Sequence, residues 1–416
     1  MEYISSRNIF LLLRDTLKLI DRKPMDHGSR VGYLVYIMLK CKGGYEQFEL
    51  ADFLMLTTLH DIGAYKTDKM GERLTYEFKN PMPHSVFGFL FLKNISPLAD
   101  KAKMVLYHRV PCDKIKKENF DFVSETQILM LAEAAEVYHG ALKNEFDYKM
   151  FRKQQDIFYT KEALDLLDEA VEKYDVFSHL ADESYQHELD ELLEYMIFTN
   201  EEKHNYVVML MMCLMFRSKI ALIDAATCLS TAEKIAEKMN LSETERERLY
   251  YATAIHDIGM LSVPSRILEA PRGLEEDEIE TVRKHIELEN KILSNRMDPE
   301  VVRIATAHHE RLDGSGYPYG LTAKQMSKEQ FILQVADVVT GMSCERNYRE
   351  QLSKEEIIKS LTEEASKGKL DAEAADVYIS NYDEITQYVE HKVKETVTTC
   401  NDLIRKYEVV RLKMSR

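Results

Sequence analysis

Residues 242–259 read SETERERLYYATAIHDIG. Ser242 and Glu245 stand at the spacing with which a serine hydroxyl and a glutamate carboxylate satisfy backbone N–H groups at a helix start. The stretch is therefore predicted to be a helix that opens at Ser242 and closes on His256-Asp257. Downstream the chain reads His308-His309-Glu310-Arg311-Leu312-Asp313-Gly314-Ser315-Gly316-Tyr317-Pro318. Two adjacent histidines, a His-Asp pair and a further acid among Leu, Ile and Ala carry a desolvation cost that calls for strong partners. A bound metal cluster supplies them, and metal-assisted hydrolysis of a phosphodiester is the chemistry such a cluster suits.

Glycine and proline, which punctuate helices, are scarce upstream. No proline falls between Pro111 and Pro264, and no glycine between Gly140 and Gly259. Within that span Leu164, Leu167, Ala170 and Val171, then Leu189, Leu192, Leu193 and Met196, recur at helical spacing. Strand-like alternation with turn dipeptides is nearly absent. The fold is expected to be all-α, with ligands projecting into helical bundles.

The two halves repeat. His60-Asp61-Ile62-Gly63 recurs as His256-Asp257-Ile258-Gly259, His84 as His285, His108 as His309, and Ile128 to Glu133 as Ile332 to Asp337, each at a spacing of roughly 200 residues. Constant order at near-constant spacing implies a duplicated domain. The first copy is assigned to residues 1–199 and the second to 200–416. No long flexible linker separates them, so the copies are expected to pack closely.

At 416 residues the chain has room for two or three domains, and 45% hydrophobic with 30% charged residues is a globular composition. A formal charge of −16 argues against a nucleic-acid polymer as partner, since phosphate backbones are held by excess Lys and Arg. A small anionic ligand stays compatible with it. Cys41, Cys112, Cys213, Cys228, Cys344 and Cys400 show no close-paired spacing, as expected of reduced thiols. Ile9 to Leu13 is interrupted at once by Arg14 and Asp15, unlike a signal peptide. The longest apolar run, Val207 to Phe216, is too short for a membrane span. A cytoplasmic location without membrane association is the expectation. Ile385, Val389, Val393 and Val397 repeat at four-residue spacing, the pattern of a core helix or of the face of a homodimer.

In the second copy His256, Asp257, His285, His308, His309 and Asp337 offer nitrogen and carboxylate donors together. Such mixed sets suit Fe, Mn, Ni or Zn better than Mg or Ca. Asp257 can bridge two cations while His256 serves one. Asp313 to Pro318 has a local reading as well, a tight turn in which glycines supply positive φ. Its place directly after the two histidines ties it to the site.

These residues resemble the HD-GYP phosphodiesterases of the HD superfamily, which hydrolyse cyclic dinucleotides. The resemblance covers roughly residues 216–352 and includes the His-Asp pair, His285, the whole His308 to Pro318 signature and Ala336-Asp337. Arg346-Asn347-Tyr348-Arg349 resembles the family's basic segment. The first half resembles a degenerate copy of the same domain: His27-Gly28-Ser29-Arg30-Val31 is similar to the opening ligand motif, and His60, Asp61, His84, His108 and Glu133 make a candidate second site for metal. Tandem chains of this kind resemble a subgroup that includes enzymes acting on 3′,3′-cyclic GMP-AMP.

Departures from the family pattern limit what each copy is expected to do. In the second copy the opening histidine falls on Asp224, a doubtful ligand, and Ile220 stands where three-metal members carry a glutamate, so two ions are expected, Fe or Mn before Ni or Zn. Met260 replaces the lysine that follows His-Asp-Ile-Gly. In the first copy the alignment puts Tyr107 at the first paired histidine and Arg109 at the glutamate, and Val110 to Lys114 replaces the Gly-Tyr-Pro loop.

The resemblance implies catalysis by Asp257, His256 and Asp313, with Tyr317, Gly316, Arg346 and Arg349 on the substrate. The expected function is opening of a cyclic dinucleotide, cyclic di-GMP before 3′,3′-cyclic GMP-AMP. A catalytically weak sensor or scaffold for the same ligands is the rival reading, and a nucleotide hydrolase a third.

Overall fold

The computed structural model describes residues 2–66, 83–115, 118–347 and 349–414, so Tyr348 lies outside the described residues. Those residues form helices joined by short turns. Among them no strand occurs, only isolated bridges such as Ile4 with Met297 and Asp313 with Thr322. No described helix is long and apolar enough to cross a membrane. All six cysteines are thiols outside any disulfide.

The chain forms two compact units. One is Asp21–Glu202 with Asp402–Arg416; the other is Lys203–Asn401 with Met1–Ile20. This differs from a single cut at 199/200, because both chain ends cross over. The reason lies in the helix Ser6–Leu17, whose Ile9, Leu12, Leu13 and Leu17 are buried. It packs against the helix His285–Leu293 and the turn Ile258–Ser262, inside the second unit. Four buried aliphatic side chains at ~1.5–3 kcal/mol each outweigh proximity along the sequence.

Within the first unit the opening helix Arg22–Lys42 lies against Gln47–Thr58, Val123–Leu142 and Lys161–Tyr174. Leu164, Leu167, Leu189, Leu192, Leu193 and Met196 all point inward, as their spacing predicts. Within the second unit the helix Lys219–Lys238 takes the same place, against Glu243–Ile255 and Lys328–Ser343. The expected capping box forms: the Ser242 hydroxyl accepts from the Glu245 N–H and the Glu245 carboxylate accepts from the Ser242 N–H at 2.8 Å. The helix ends at Ile255, delivering His256 and Asp257 to its C-terminal end. Gly259 follows because a Cβ there would lie 2.1 Å from the His285 carbonyl oxygen; Gly63 meets the His84 carbonyl in the same way. In each copy this close approach clamps the His-Asp turn to the helix bearing the next histidine.

Candidate metal centres

In the second unit His256, His285 and His308 each turn one ring nitrogen to the backbone. Their Nδ1 atoms lie 2.7, 2.6 and 2.6 Å from the carbonyls of Thr253, Val282 and Ala305. A carbonyl only accepts, so each Nδ1 carries the proton and each Nε2 presents a lone pair, an assignment made from geometry. The Nε2 atoms of His285 and His308 then face one another at 3.2 Å with no proton between them. Asp257 stands 3.5 Å from His256 Nε2 and 3.7 and 3.9 Å from those of His285 and His308, too far for hydrogen bonds. Donors about 2.0–2.2 Å from a common ion sit roughly 3–3.5 Å apart, so the spacing fits shared cations. Burial lowers His308 strongly and His285 to about 4, keeping both neutral and able to ligate.

His309 completes a three-histidine cluster with His285 and His308, and its Nδ1 lies 3.1 Å from Asp337. Burial alone would raise the Asp337 carboxyl; His309, with His256 and Arg311, more than offsets that and holds it low. Asp224, the expected opening ligand, is engaged elsewhere. Both of its oxygens accept from Arg346 Nη1, at 2.6 and 2.7 Å. Burial pushes it up to about 6 against the opposing pull of Arg346.

The Asp313–Pro318 loop is shaped by local chemistry. Asp313 is exposed and accepts from the Ser315 N–H at 2.9 Å and hydroxyl at 2.6 Å, so it builds the turn rather than joining the histidines. Gly314 has φ +82°, as a turn glycine should, whereas Gly316 is needed for closeness: a Cβ there would lie 2.3 Å from the Arg311 nitrogen. Tyr317 is thereby laid against His309, ring centroids 4.9 Å apart. Arg349 is exposed and donates to the Gly341 carbonyl.

The first unit keeps a comparable nest. His27, His60, Asp61 and Glu133 form one cluster; Asp61, His84 and His108 form another, so Asp61 belongs to both. His60 and His108 again commit Nδ1 to backbone carbonyls, of Thr57 at 2.7 Å and Val105 at 2.6 Å. His27 Nδ1 lies 2.5 Å from Glu136, which Arg30 also contacts. Asp61 is 3.1 Å from His84 Nε2, 3.7 Å from His60 Nε2 and 3.8 Å from His108 Nε2. Burial opposes ionisation of Asp61, yet His60 and His84 hold it well below the usual range.

This geometry corrects the alignment of the two copies by one residue. His108 turns its Nδ1 to the carbonyl three residues back, as His308 does, so His108 matches His308 and Arg109 matches His309. The Arg109–Glu133 ion pair then stands where the second copy has His309 with Asp337. Val110 takes the place of Glu310, and the loop becomes a short helix, Cys112–Ile115.

Residues 209–374, which hold every candidate ligand of the second copy, match the HD domain family. The chain carries an HD domain. Over 418 residues the chain is 26% identical to the 3'3'-cGAMP-specific phosphodiesterase 1 of Vibrio cholerae, covering 95% of each. It is 34% identical over 168 residues to the cyclic di-GMP phosphodiesterase of Thermotoga maritima, spanning 37% of this chain and 46% of that one. A solved cyclic GMP-AMP-specific phosphodiesterase from Vibrio cholerae shares the fold, with a TM-score of 0.58 at 16% identity over 92% of this chain and 98% of the other.

Three residues of the HD domain carry weight that sequence reasoning did not assign. Glu310 is fully buried and its carboxylate accepts from the N–H groups of Tyr319 at 2.7 Å and Leu321 at 2.8 Å, pinning the loop. The Arg283 guanidinium lies 4.9 Å from the Tyr317 ring centroid, a cation–π contact. Glu289, four residues after His285 where the first copy has Gly88, is fully buried with neither oxygen hydrogen-bonded. Burial, then the charge of Asp257, raises it well above the carboxylate range. The acid within the signature and an arginine just before a ligand were visible signals; Glu289 had none. A cavity of about 800 Å³ adjoins Asp224 and Arg346, lined also by Lys354, Tyr378, Tyr382 and Val389. Thus Val389 and Val393 face this cavity, while Ile385 is buried in the unit.

Proposed function

We propose that the HD domain of this chain is a metal-dependent phosphodiesterase that opens a cyclic dinucleotide to its linear form. The observation that carries this reading is the pair of Nε2 lone pairs of His285 and His308 facing each other at 3.2 Å beside Asp257, an arrangement that repels itself without a cation. His285, His308, His309 and Asp257 would hold one ion, and His256, Asp257 and Asp337 a second, Fe or Mn fitting the mixed nitrogen and oxygen donors. Such a pair supplies a water of lowered pKa and neutralises the phosphate it acts on.

The chain's own residues do the positioning. Glu310 fixes the loop by two backbone N–H bonds, Gly316 lets it lie on the Glu310–Arg311 backbone, and Tyr317 then stands over His309 with Arg283 behind it. That places an aromatic face and a cation at the open side of the cluster, suited to a base and a phosphate. In the reaction one P–O bond of the ring breaks, the oxygen of water joins phosphorus, and the departing ribose oxygen takes a proton. The relative matching 95% of the chain is named for 3'3'-cGAMP, which supports that hybrid as the first substrate to try, ahead of cyclic di-GMP.

Arg346, held by both oxygens of Asp224, favours a second reading, a cyclic-dinucleotide sensor with little turnover. With Mn²⁺ or Fe²⁺ supplied, linear product that disappears in Asp257→Ala supports the enzyme. Tight binding of 3'3'-cGAMP without product supports the sensor, and neither binding nor product removes both.

A further inference from the structure

We propose that the first copy is a single-ion metal centre in which His27, His60, Asp61 and Glu133 hold the ion and the Arg109 guanidinium stands in for a second one. This inference is independent of the activity assigned to the HD domain, since every residue in it belongs to the other compact unit.

The donors are buried and aimed at one point. His60, His108 and Glu133 are 0% exposed, and the Nε2 atoms of His60 and His108 are sealed from water without a hydrogen-bond partner. Buried imidazole nitrogens of this kind need a proton donor or a cation, and the atoms nearest them, Asp61 Oδ1 and Glu133 Oε2, are acceptors at 3.7–3.8 Å. His27 has the support of a working ligand. Its Nδ1 is 2.5 Å from Glu136, which Arg30 also contacts, so its Nε2 is fixed in tautomer and direction.

Charge sets the number of ions. In the HD domain the residue beside Asp337 is His309, an imidazole with no permanent charge, so that carboxylate is available to neutralise metal charge. In the first copy Arg109 already supplies a positive charge to Glu133 Oε1, leaving Oε2 toward the cluster. Two divalent ions beside a permanent guanidinium would leave a strongly positive buried site with Asp61 and Glu133 as its carboxylates. One divalent ion with Arg109 keeps the buried positive charge below that which two ions would carry in the HD domain, and a second ion would exceed it. Arg109 also stands where His309 adds a further imidazole in the HD domain, so the Asp61–His84–His108 group lacks that donor, and its His84 Nε2 lies 3.1 Å from Asp61.

The test uses the full-length chain carrying Asp257→Ala, His308→Ala and His309→Ala, which takes donors from both ions assigned to the HD domain, with Co²⁺ alone as probe. Bound metal is counted after gel filtration, the Co²⁺ absorption band reports its ligands, and far-ultraviolet circular dichroism checks folding. About one equivalent should bind, vanish on adding His60→Ala, and rise to about two on adding Arg109→His, which restores the imidazole. No bound Co²⁺ in a chain with an unchanged dichroism spectrum overturns the site. Two equivalents before Arg109→His, or still one after it, overturns the role of Arg109.

Discussion

The two copies have each lost one ligand, and not the same one. The first keeps the opening histidine, His27, and has Arg109 in place of the second paired histidine; the HD domain keeps His308-His309 and has Asp224 in place of the opening one. In both, an arginine is paired with a carboxylate at the altered corner: Arg109 with Glu133, Arg346 with Asp224. Exposure separates them further. Glu133 is sealed, whereas His309 and Asp337 each expose 21% of their side chains beneath the Tyr317 loop. On the proposed reading the open side and the Tyr317 loop are what would let the HD nest act on a substrate, whereas the nest of the first copy would only hold an ion.

The loop offers the largest way to break this contrast. Gly316→Ala places a Cβ against the Arg311 nitrogen, displacing Tyr317 from His309, and a shift of about 1 Å in such a contact can lower kcat/KM ~100-fold. Steady-state rates at constant metal content check it; full activity would mean that the loop does not distinguish the copies. Next in size, Asp224→His gives the HD domain the ligand that the first copy retains and frees Arg346. Metal titration should show affinity rising ~10-fold, the scale of supporting-group effects at such sites. An unchanged titration would show that the opening position does not limit metal binding.

Arg283→Met should cost the ~0.5–2 kcal/mol of a cation–π contact, roughly a few-fold in KM with less change in kcat. An equal loss in both would assign Arg283 to chemistry instead. The most gradual effect is in pH. Burial holds His285 at about 4 and His108 at about 3, below the unfolded value of about 6.5. On acidification the unfolded chain therefore takes up protons first. Melting temperature of the metal-free chain should hold above about pH 6.5 and fall from there toward pH 4, with the elevated Asp224 opposing part of the loss. A flat profile over that window would contradict the neutral, buried placement of these imidazoles.

Much of this was legible in the order of residues. The Ser242 capping box, the helical apolar spacing and the repeated His-Asp-Ile-Gly are local patterns, and each became the helix or turn that local physics specifies. The all-α architecture follows from them, and so does the gathering of His256, Asp257, His285, His308, His309 and Asp337 at one place in the fold. What escaped was set by distance. Arg346 meets Asp224 across 122 residues and His27 meets Glu136 across 109, and neither pairing leaves a mark on spacing. In Tyr107-His108-Arg109 a lone histidine fits either position of the pair, so only the Val105 carbonyl decides the register. Asp313 was misplaced for a related reason: a carboxylate beside Ser315 is held by that neighbour before any distant partner. The helix Ser6–Leu17 joined the second unit because its apolar face fits there, a fact about surfaces rather than sequence order.

On the proposed reading the chemistry resides in the HD domain, and an isosteric pair of changes tests this. Initial rates of linear dinucleotide formation from 3'3'-cGAMP are to be compared in Asp257→Asn and Asp61→Asn, each at saturating Mn²⁺ and each confirmed folded. A carboxylate shared by two bound ions would contribute several kcal/mol of transition-state stabilisation, so Asp257→Asn should fall ~1000-fold. Asp61→Asn should stay within about twofold of the unaltered chain, because its cage takes no part in the reaction. Equal losses, or the larger loss in Asp61→Asn, would contradict the assignment of the two copies.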